Sequence, residues 1–176
     1  MSELRTNRIV PRDGLPTGAS GGIIQVVSST TTAASTNSTA AATWWKTGAT
    51  CTITPQAASN KILIFGNVSG SVAGPQFNIG IGIYRTNTLI GLGDASSNRQ
   101  RVHTTFSATD SADMMDGGSF NYLDSPATTS AITYAVGLWN PSSITRVMHL
   151  NSGVTDTDSV YYPRGTTTIT LMEISG

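Results

Sequence analysis

Two adjacent tyrosines and a nearby arginine are the residues of this chain best suited to recognising a ligand. Tyr161, Tyr162 and Arg164 come shortly after Asp156 and Asp158. Aromatic rings stack on the faces of sugars, and guanidinium and carboxylate groups hydrogen-bond to hydroxyls. We therefore expect Tyr161, Tyr162 and Arg164 to be possible glycan contacts, on a loop just before the last strand.

The same segment also allows a purely structural interpretation. Pro163 and Gly165 are typical turn residues, so the segment could simply reverse the chain. The two tyrosines could pack between subunits instead of contacting a ligand. The sequence leaves both alternatives open.

The two histidines do not fall into a pattern typical of an enzyme or a metal site. His103 and His149 lie in predicted strands, and the chain contains no His-Glu-x-x-His and no Cys-x-x-Cys motif. A polysaccharide depolymerase would need paired carboxylates in a cleft. We expect both histidines to have structural or surface roles. We also expect that the protein is not an enzyme and has no catalytic, cofactor-binding or metal-binding residues.

Two further features with chemical potential also favour structural interpretations. Asp110, Asp113 and Asp116 lie in one polar stretch, but their spacing is not that of an EF-hand, and we expect a solvated loop. Cys51 is the single cysteine, so no disulfide within the chain is possible. It lies in an alternating Thr-rich stretch, where a buried strand residue is expected.

Overall composition limits the partners of the protein. Only 11% of the 176 residues are charged, and basic and acidic residues balance to a formal net charge of zero. A neutral chain does not neutralise a phosphate backbone, so nucleic-acid binding is disfavoured. No apolar stretch approaches the length of a membrane span, and Arg5, Arg8 and Arg12 interrupt the region where a signal peptide would lie. We expect synthesis in a cytoplasm.

Short alternating segments separated by turn residues predict an all-β fold. Apolar residues at every second position share one face, as Ile79, Ile81 and Ile83 do, with Gly80 and Gly82 on the other face, where a neighbour must approach closely. Adjacent Trp44 and Trp45 cannot both enter one core. The Ser/Thr/Ala-rich residues 28–43 could form a loop, which we expect, or an extended surface strand, which Thr favours. The predicted strands are residues 23–27, 50–53, 61–68, 76–85, 89–93, 99–106, 119–123, 131–139, 146–150 and 167–174.

No helix is predicted, and strands at this spacing are typical of an antiparallel, jelly-roll-like sandwich over residues 23–176. Residues 1–22 differ from this body. They combine arginines, prolines and glycines with isolated apolar residues, so they have no pattern that forms a core. We interpret them as an extended N-terminal attachment arm.

The first and last segments resemble one family of viral proteins. "SELRTNRIVPRDGLPTGASGGIIQV" at the N-terminus and "YYPRGTTTITLMEI" near the C-terminus are similar to tail-fibre-like virion proteins of tailed bacteriophages, especially those of marine cyanobacteria. The resemblance implies a structural virion protein, either a short fibre or a head-decorating fibre. It leaves open whether the protein sits on the capsid or the tail.

These observations combine into one hypothesis. The arm is expected to attach to other virion proteins, with Arg5, Arg8, Ile9 and Arg12 as the contact residues. A neutral β body with strands that are apolar on both faces, such as residues 61–68, favours a homotrimer, because a closed assembly hides edge strands. The alternative is a carbohydrate-binding domain that recognises a host receptor, with a cell-surface glycan as its partner.

Overall fold

A computed structural model describes residues 22–74, 77–108 and 114–176. These residues form strands and connecting segments and no helix, which confirms the all-β prediction. Accordingly, the described residues include no helix that could cross a membrane. The strands are β1 (Ile23–Thr31), β2 (Ser35–Thr39), β3 (Trp44–Ile53), β4 (Lys61–Val72), β5 (Phe77–Arg85), β6 (Thr88–Ile90), β7 (Thr104–Ala108), β8 (Asp116–Asp124), β9 (Ile132–Trp139), β10 (Arg146–Leu150) and β11 (Thr167–Ile174).

The strands build two antiparallel sheets that form a jelly-roll-like sandwich, as predicted. In sheet A, the long strand β4 pairs with β8 along one edge and with both β11 and β10 along the other. Strand β1 lies outside β11, and β2 lies outside β10. In sheet B, β3, β9 and β5 are neighbours in that order, and β6 and β7 share the far edge of β5.

The core consists of the inward-facing side chains of both sheets. Alternation in β5 buries Ile79, Ile81 and Ile83, and alternation in β9 buries the residues from Ile132 to Leu138 at every second position, as predicted. Cys51 is buried among them, and burial raises the pKa of its thiol. Trp45 packs against this core, whereas Trp44 lies on the outer face of sheet B.

The expected loop over residues 28–43 is found only at residues 32–34 and 40–43. Strand β1 continues to Thr31, and β2 follows after a short break. Hydroxyl pairs across the sheet, Ser28 with Thr170 at 2.9 Å and Thr30 with Thr168 at 3.0 Å, support the extended chain. Pairing with a distant partner strand therefore outweighs the low-complexity composition, because Ser and Thr satisfy each other across a ladder.

The predicted strand over residues 99–106 is only partly right. Strand β7 begins at Thr104, and the residues before it form a loop on the outer face of sheet B. Val102 approaches Gly80 there, at 2.5 Å from the position a Cβ atom would take, so this loop covers part of the sheet. The described residues contain eleven strands, whereas ten were predicted.

A buried carboxylate fixes the end of sheet A at which β1 begins. Glu173 is fully buried and accepts hydrogen bonds from Gln25 Nε2 at 2.5 Å, Asn60 Nδ2 at 2.5 Å and the Gln56 amide at 2.6 Å. Burial opposes the charged form, but these hydrogen bonds outweigh it and lower the pKa of Glu173. The carboxylate thus ties β1 to the turn that precedes β4.

Candidate functional site

The predicted ligand-contact residues lie on one long connection between β10 and β11, residues 151–166, which we call the 151–166 loop. Asn151 anchors its base. Its side-chain amide donates to the carbonyl oxygens of Thr31 at 2.9 Å and Ala33 at 3.1 Å, and its Oδ1 accepts from Thr167 Oγ1 at 2.8 Å. The backbone of Asn151 has a φ of 61°, a conformation that Asn tolerates better than most residues. The loop therefore starts from a fixed position at the end of sheet A.

The two ends of the loop are joined by further hydrogen bonds. The Gly165 amide donates to the Asn151 carbonyl at 3.0 Å, and Ser152 forms an antiparallel bridge with Arg164. Ser71 Oγ on β4 donates to the Ser152 carbonyl at 3.0 Å. These contacts hold the loop against the outer face of sheet A.

An ion pair within the loop sets the position of Arg164. Its Nε and Nη2 atoms donate to the two oxygens of Asp156, each at 2.6 Å. This two-bond geometry is the most specific that arginine and a carboxylate can form. The side chains of Arg164 and Asp156 are 56% and 36% exposed. Because exposed ion pairs contribute little to stability, the main effect of this pair is to fix the shape of the loop.

A cavity of about 420 Å³ opens beside this ion pair. Its lining residues are Asp156, Thr157, Asp158, Ser159, Tyr162 and Arg164. The volume falls within the range of small-molecule sites, roughly 300–1,000 Å³. Hydroxyl, carboxylate and guanidinium groups line it together with one aromatic ring, and this combination suits a ligand rich in hydroxyl groups.

The two tyrosines have different surroundings. The Tyr162 amide donates to the Ser159 carbonyl at 3.1 Å in a turn, and the Tyr162 side chain lines the cavity. Tyr161 is 78% exposed and the adjacent Val160 is 96% exposed. The structure thus places Tyr162 and Arg164 at the cavity, whereas Tyr161 is exposed to solvent and is not one of the lining residues.

Sequence reasoning did not associate His149 with this site. Met148 and Leu150 point into the core, so alternation directs His149 to the outer face of sheet A, where it is only 8% exposed. Burial lowers the pKa of its imidazole, and the nearby carboxylate of Asp156 opposes that shift. Its Nδ1 is the one buried side-chain nitrogen or oxygen without a hydrogen-bond partner in the described part of the chain.

The other residues singled out in the sequence lie elsewhere. His103 precedes β7, with its Nδ1 at 2.8 Å from the Gly91 carbonyl oxygen. Asp116 is exposed at the start of β8, while Asp110 and Asp113 lie outside the described residues. Among the described residues, no three His, Cys, Asp or Glu side chains group as metal ligands do. Arg5, Arg8, Ile9 and Arg12 of the predicted arm also lie outside the described residues.

Comparisons with known proteins give distant likenesses in structure alone. No protein-family model and no curated protein matches this chain. Its fold is similar to a chain in the structure of the Gt strain of infectious bursal disease virus, with a TM-score of 0.45 and 10% sequence identity. The match covers 98% of this chain and 44% of that one, so this chain spans less than half the length of the viral protein. At this TM-score and identity the likeness does not bear on function.

Proposed function

We propose that this chain is a structural virion protein of a tailed bacteriophage without enzymatic activity: a short trimeric fibre or head-decorating fibre. In this proposal, residues 1–22 attach it to other virion proteins, and it reaches the virion after synthesis in the host cytoplasm. The resemblance of the two terminal segments to tail-fibre-like proteins supports the class of protein. One structural observation supports the proposed orientation.

That observation is the polarity of sheet A. Strand β1 begins at Ile23, opposite Ile174, and ends at Thr31, opposite Thr167, which directly follows the 151–166 loop. Eight steps along a strand at about 3.4 Å each separate the two ends by roughly 27 Å. The chain therefore enters the body at one end and carries the candidate ligand loop at the other, as an attachment protein with an inner and an outer end requires.

Removal of the N-terminal segment tests this proposal. We expect the chain without residues 2–22 to fold and to be absent from particles, as measured by the amount of protein co-purifying with virions. A full-length variant with Arg5, Arg8 and Arg12 replaced by alanine should also be incorporated less. Normal incorporation of the truncated chain would contradict the attachment role.

A second candidate function is recognition of a carbohydrate receptor by the 151–166 loop. The observation that favours it is the cavity between Tyr162, Arg164 and Asp158, in the loop that also exposes the ring of Tyr161. Asp156 and Arg164 neutralise each other, whereas no ion pair is found for Asp158 among the described residues. The formal charge of the cavity is therefore negative, which favours neutral or amino sugars over acidic ones.

Replacement of both tyrosines tests the carbohydrate proposal. Tyr161→Ala with Tyr162→Ala should reduce adsorption to host cells and binding to their surface glycans at least tenfold, because ring stacking is lost. Val160→Ala is the matched control, since Val160 lies in the same loop and is more exposed than either tyrosine. If the double variant dissociates into monomers, the tyrosines are interface residues and the carbohydrate proposal is wrong.

A further inference from the structure

Apolar side chains form a continuous row across the outer face of sheet A. Val26 on β1, Met172 on β11, Leu63 on β4 and Leu123 on β8 are successive partners in the strand register. We call these four residues the aliphatic row. Val26 is 53% exposed and Leu123 is 47% exposed, while the other two are partly buried. The row therefore crosses four strands on the side of the sheet that faces away from the core.

Further apolar residues widen this row on both sides. Ile23 and Ile174 are register partners at the end of the sheet, and Ile23 is 59% exposed. Phe65 lies on the other side of the row, two residues after Leu63. Single exposed apolar residues are common in proteins, but a contiguous group of this kind marks an interaction surface.

The rest of this face is polar and almost uncharged. Beyond the aliphatic row, its outward positions are Ser28, Thr30, Asn67, Ser119, Asn121, Thr168 and Thr170. Lys61 is the one charged residue at the outward positions of these paired strands, while the carboxylates of Glu173 and Asp124 are buried on the opposite side. Hydroxyl and amide groups both donate and accept hydrogen bonds. Such a face can pair with copies of itself without electrostatic repulsion.

We propose that further copies of this chain cover the aliphatic row, which places the row at the symmetry axis of the homotrimer. This inference rests on the trimer in the proposed function and assigns a surface to it. Copies that meet at a symmetry axis bring the same residues together there. The face of each copy must therefore be compatible with the identical face of its neighbours, and a neutral face with an apolar centre meets this requirement.

Charge argues against the N-terminal segment as the occupant of this face. Residues 1–21 carry Arg5, Arg8 and Arg12 against two carboxylates, Glu3 and Asp13. At the outward positions of β1, β11, β4 and β8, the face offers a lysine and no carboxylate to receive these arginines. A second copy of a neutral face is the better match in charge.

The size of the face fits a subunit contact. Four strands about 4.8 Å apart, each eight residues long at about 3.4 Å per residue, project a flat area of roughly 500 Å². Side-chain relief increases the accessible area toward the roughly 800 Å² per partner of stable complexes.

Charge substitution at the two most exposed positions of the row tests the inference. Val26→Lys and Leu123→Lys in the full chain introduce a cation that a monomer tolerates, because both side chains already reach solvent. We expect the unmodified chain to have a mass near three chains by sedimentation across a micromolar dilution series. The trimer of each lysine variant should dissociate at a concentration at least tenfold higher than the trimer of the unmodified chain. Ile144→Lys is the matched control, since Ile144 is 54% exposed in the connection between β9 and β10.

The possible outcomes separate this inference from the proposed function. If the unmodified chain is trimeric and neither lysine variant dissociates, the interface lies elsewhere and only this inference is wrong. If the unmodified chain is a monomer throughout the series, both the trimer and the inference are wrong. If that monomer binds a fluorescent apolar dye only after residues 2–22 are removed, the N-terminal segment covers the row, which also overturns the inference.

Discussion

The outer faces of the two sheets follow the same strand alternation but differ in what covers them. On sheet B, Trp44 and Trp139 pack against each other with ring centres 5.6 Å apart, above a strip of glycines. On sheet A, the aliphatic row of Val26, Met172, Leu63 and Leu123 has no such cover from the described chain. The molecule therefore covers the outer face of sheet B with its own side chains, whereas apolar side chains on the outer face of sheet A remain exposed.

The difference arises from the glycines of sheet B. Gly80, Gly82 and Gly137 have no side chains, so large groups lie directly on the backbone. A Cβ atom at Gly82 would be 2.7 Å from Trp44 Cζ3 and from Leu89 Cδ2. The four positions of the aliphatic row carry apolar side chains instead, and Val26 and Leu123 among them remain about half exposed.

The largest expected effect comes from filling the glycine strip. Gly82→Val should lower the free energy of unfolding by roughly 2–3 kcal/mol, because the Trp44 ring must move. Asn121→Val, on the exposed face of sheet A, is the control and should change stability by less than about 0.5 kcal/mol. Denaturant unfolding of both variants at one protein concentration measures the difference. Equal losses would mean that the two faces are not packed differently.

Removal of a side chain from each face should give the next largest contrast. Trp44→Ala should cost about 2 kcal/mol, since the ring is partly buried on Gly82 and Trp139. Leu123→Ala should cost less than about 0.5 kcal/mol when measured at a concentration where the chain is monomeric. A large loss for Leu123→Ala in the monomer would show that the chain itself covers the aliphatic row.

Acidification should affect the covered part of sheet A, where His149 lies under the 151–166 loop. Burial lowers the pKa of His149 in the folded chain below its usual value of about 6.5, so the unfolded chain binds a proton first. The contribution of the neutral His149 side chain to the free energy of unfolding is therefore fully present above about pH 6.5. It is lost as the pH falls below that value, by at most about 1.4 kcal/mol per pH unit. Unfolding between pH 7 and 5 should therefore show a smaller slope for His149→Gln.

The smallest effect is expected for the cation that borders the aromatic cluster of sheet B. Lys46 Nζ lies 5.7 Å from the centre of the Tyr84 ring and donates to the Thr86 carbonyl at 2.5 Å and to Asn87 Oδ1 at 3.0 Å. Because Lys46 is exposed, Lys46→Met should cost about 0.5 kcal/mol. Lys61→Met at the border of the sheet A face is the control, and a larger loss there would reverse the comparison.

The predicted strands were most accurate where apolar side chains within the segment itself indicate which positions are buried. Residues 146–150 and 167–174 match β10 and β11, and the faces of β5 and β9 follow the predicted alternation. The loop predicted over residues 28–43 was right only in part, since Ser and Thr suit loops and ladders equally well. Only the pairing of β1 with β11, more than a hundred residues away, decided between them.

The candidate site was predicted in part. Sequence reasoning located Tyr161, Tyr162 and Arg164 on one loop, because turn residues and a following strand mark it. It did not predict the ion pair of Arg164 with Asp156 or the position of His149 beneath the loop. Both depend on how the loop folds back over sheet A, which is fixed by the hydrogen bonds of Asn151.

The sequence by itself determined the all-β class, the neutral polar surface, the alternating core and the loop with paired tyrosines. These properties follow from composition and from the two-residue period of a strand, which are local. Only the tertiary structure decided that Leu63 aligns with Val26, Met172 and Leu123, and that the body carries its entry point and its candidate ligand loop at opposite ends. Register between strands distant in sequence depends on cooperative packing of the whole sandwich, so no single segment contains that information.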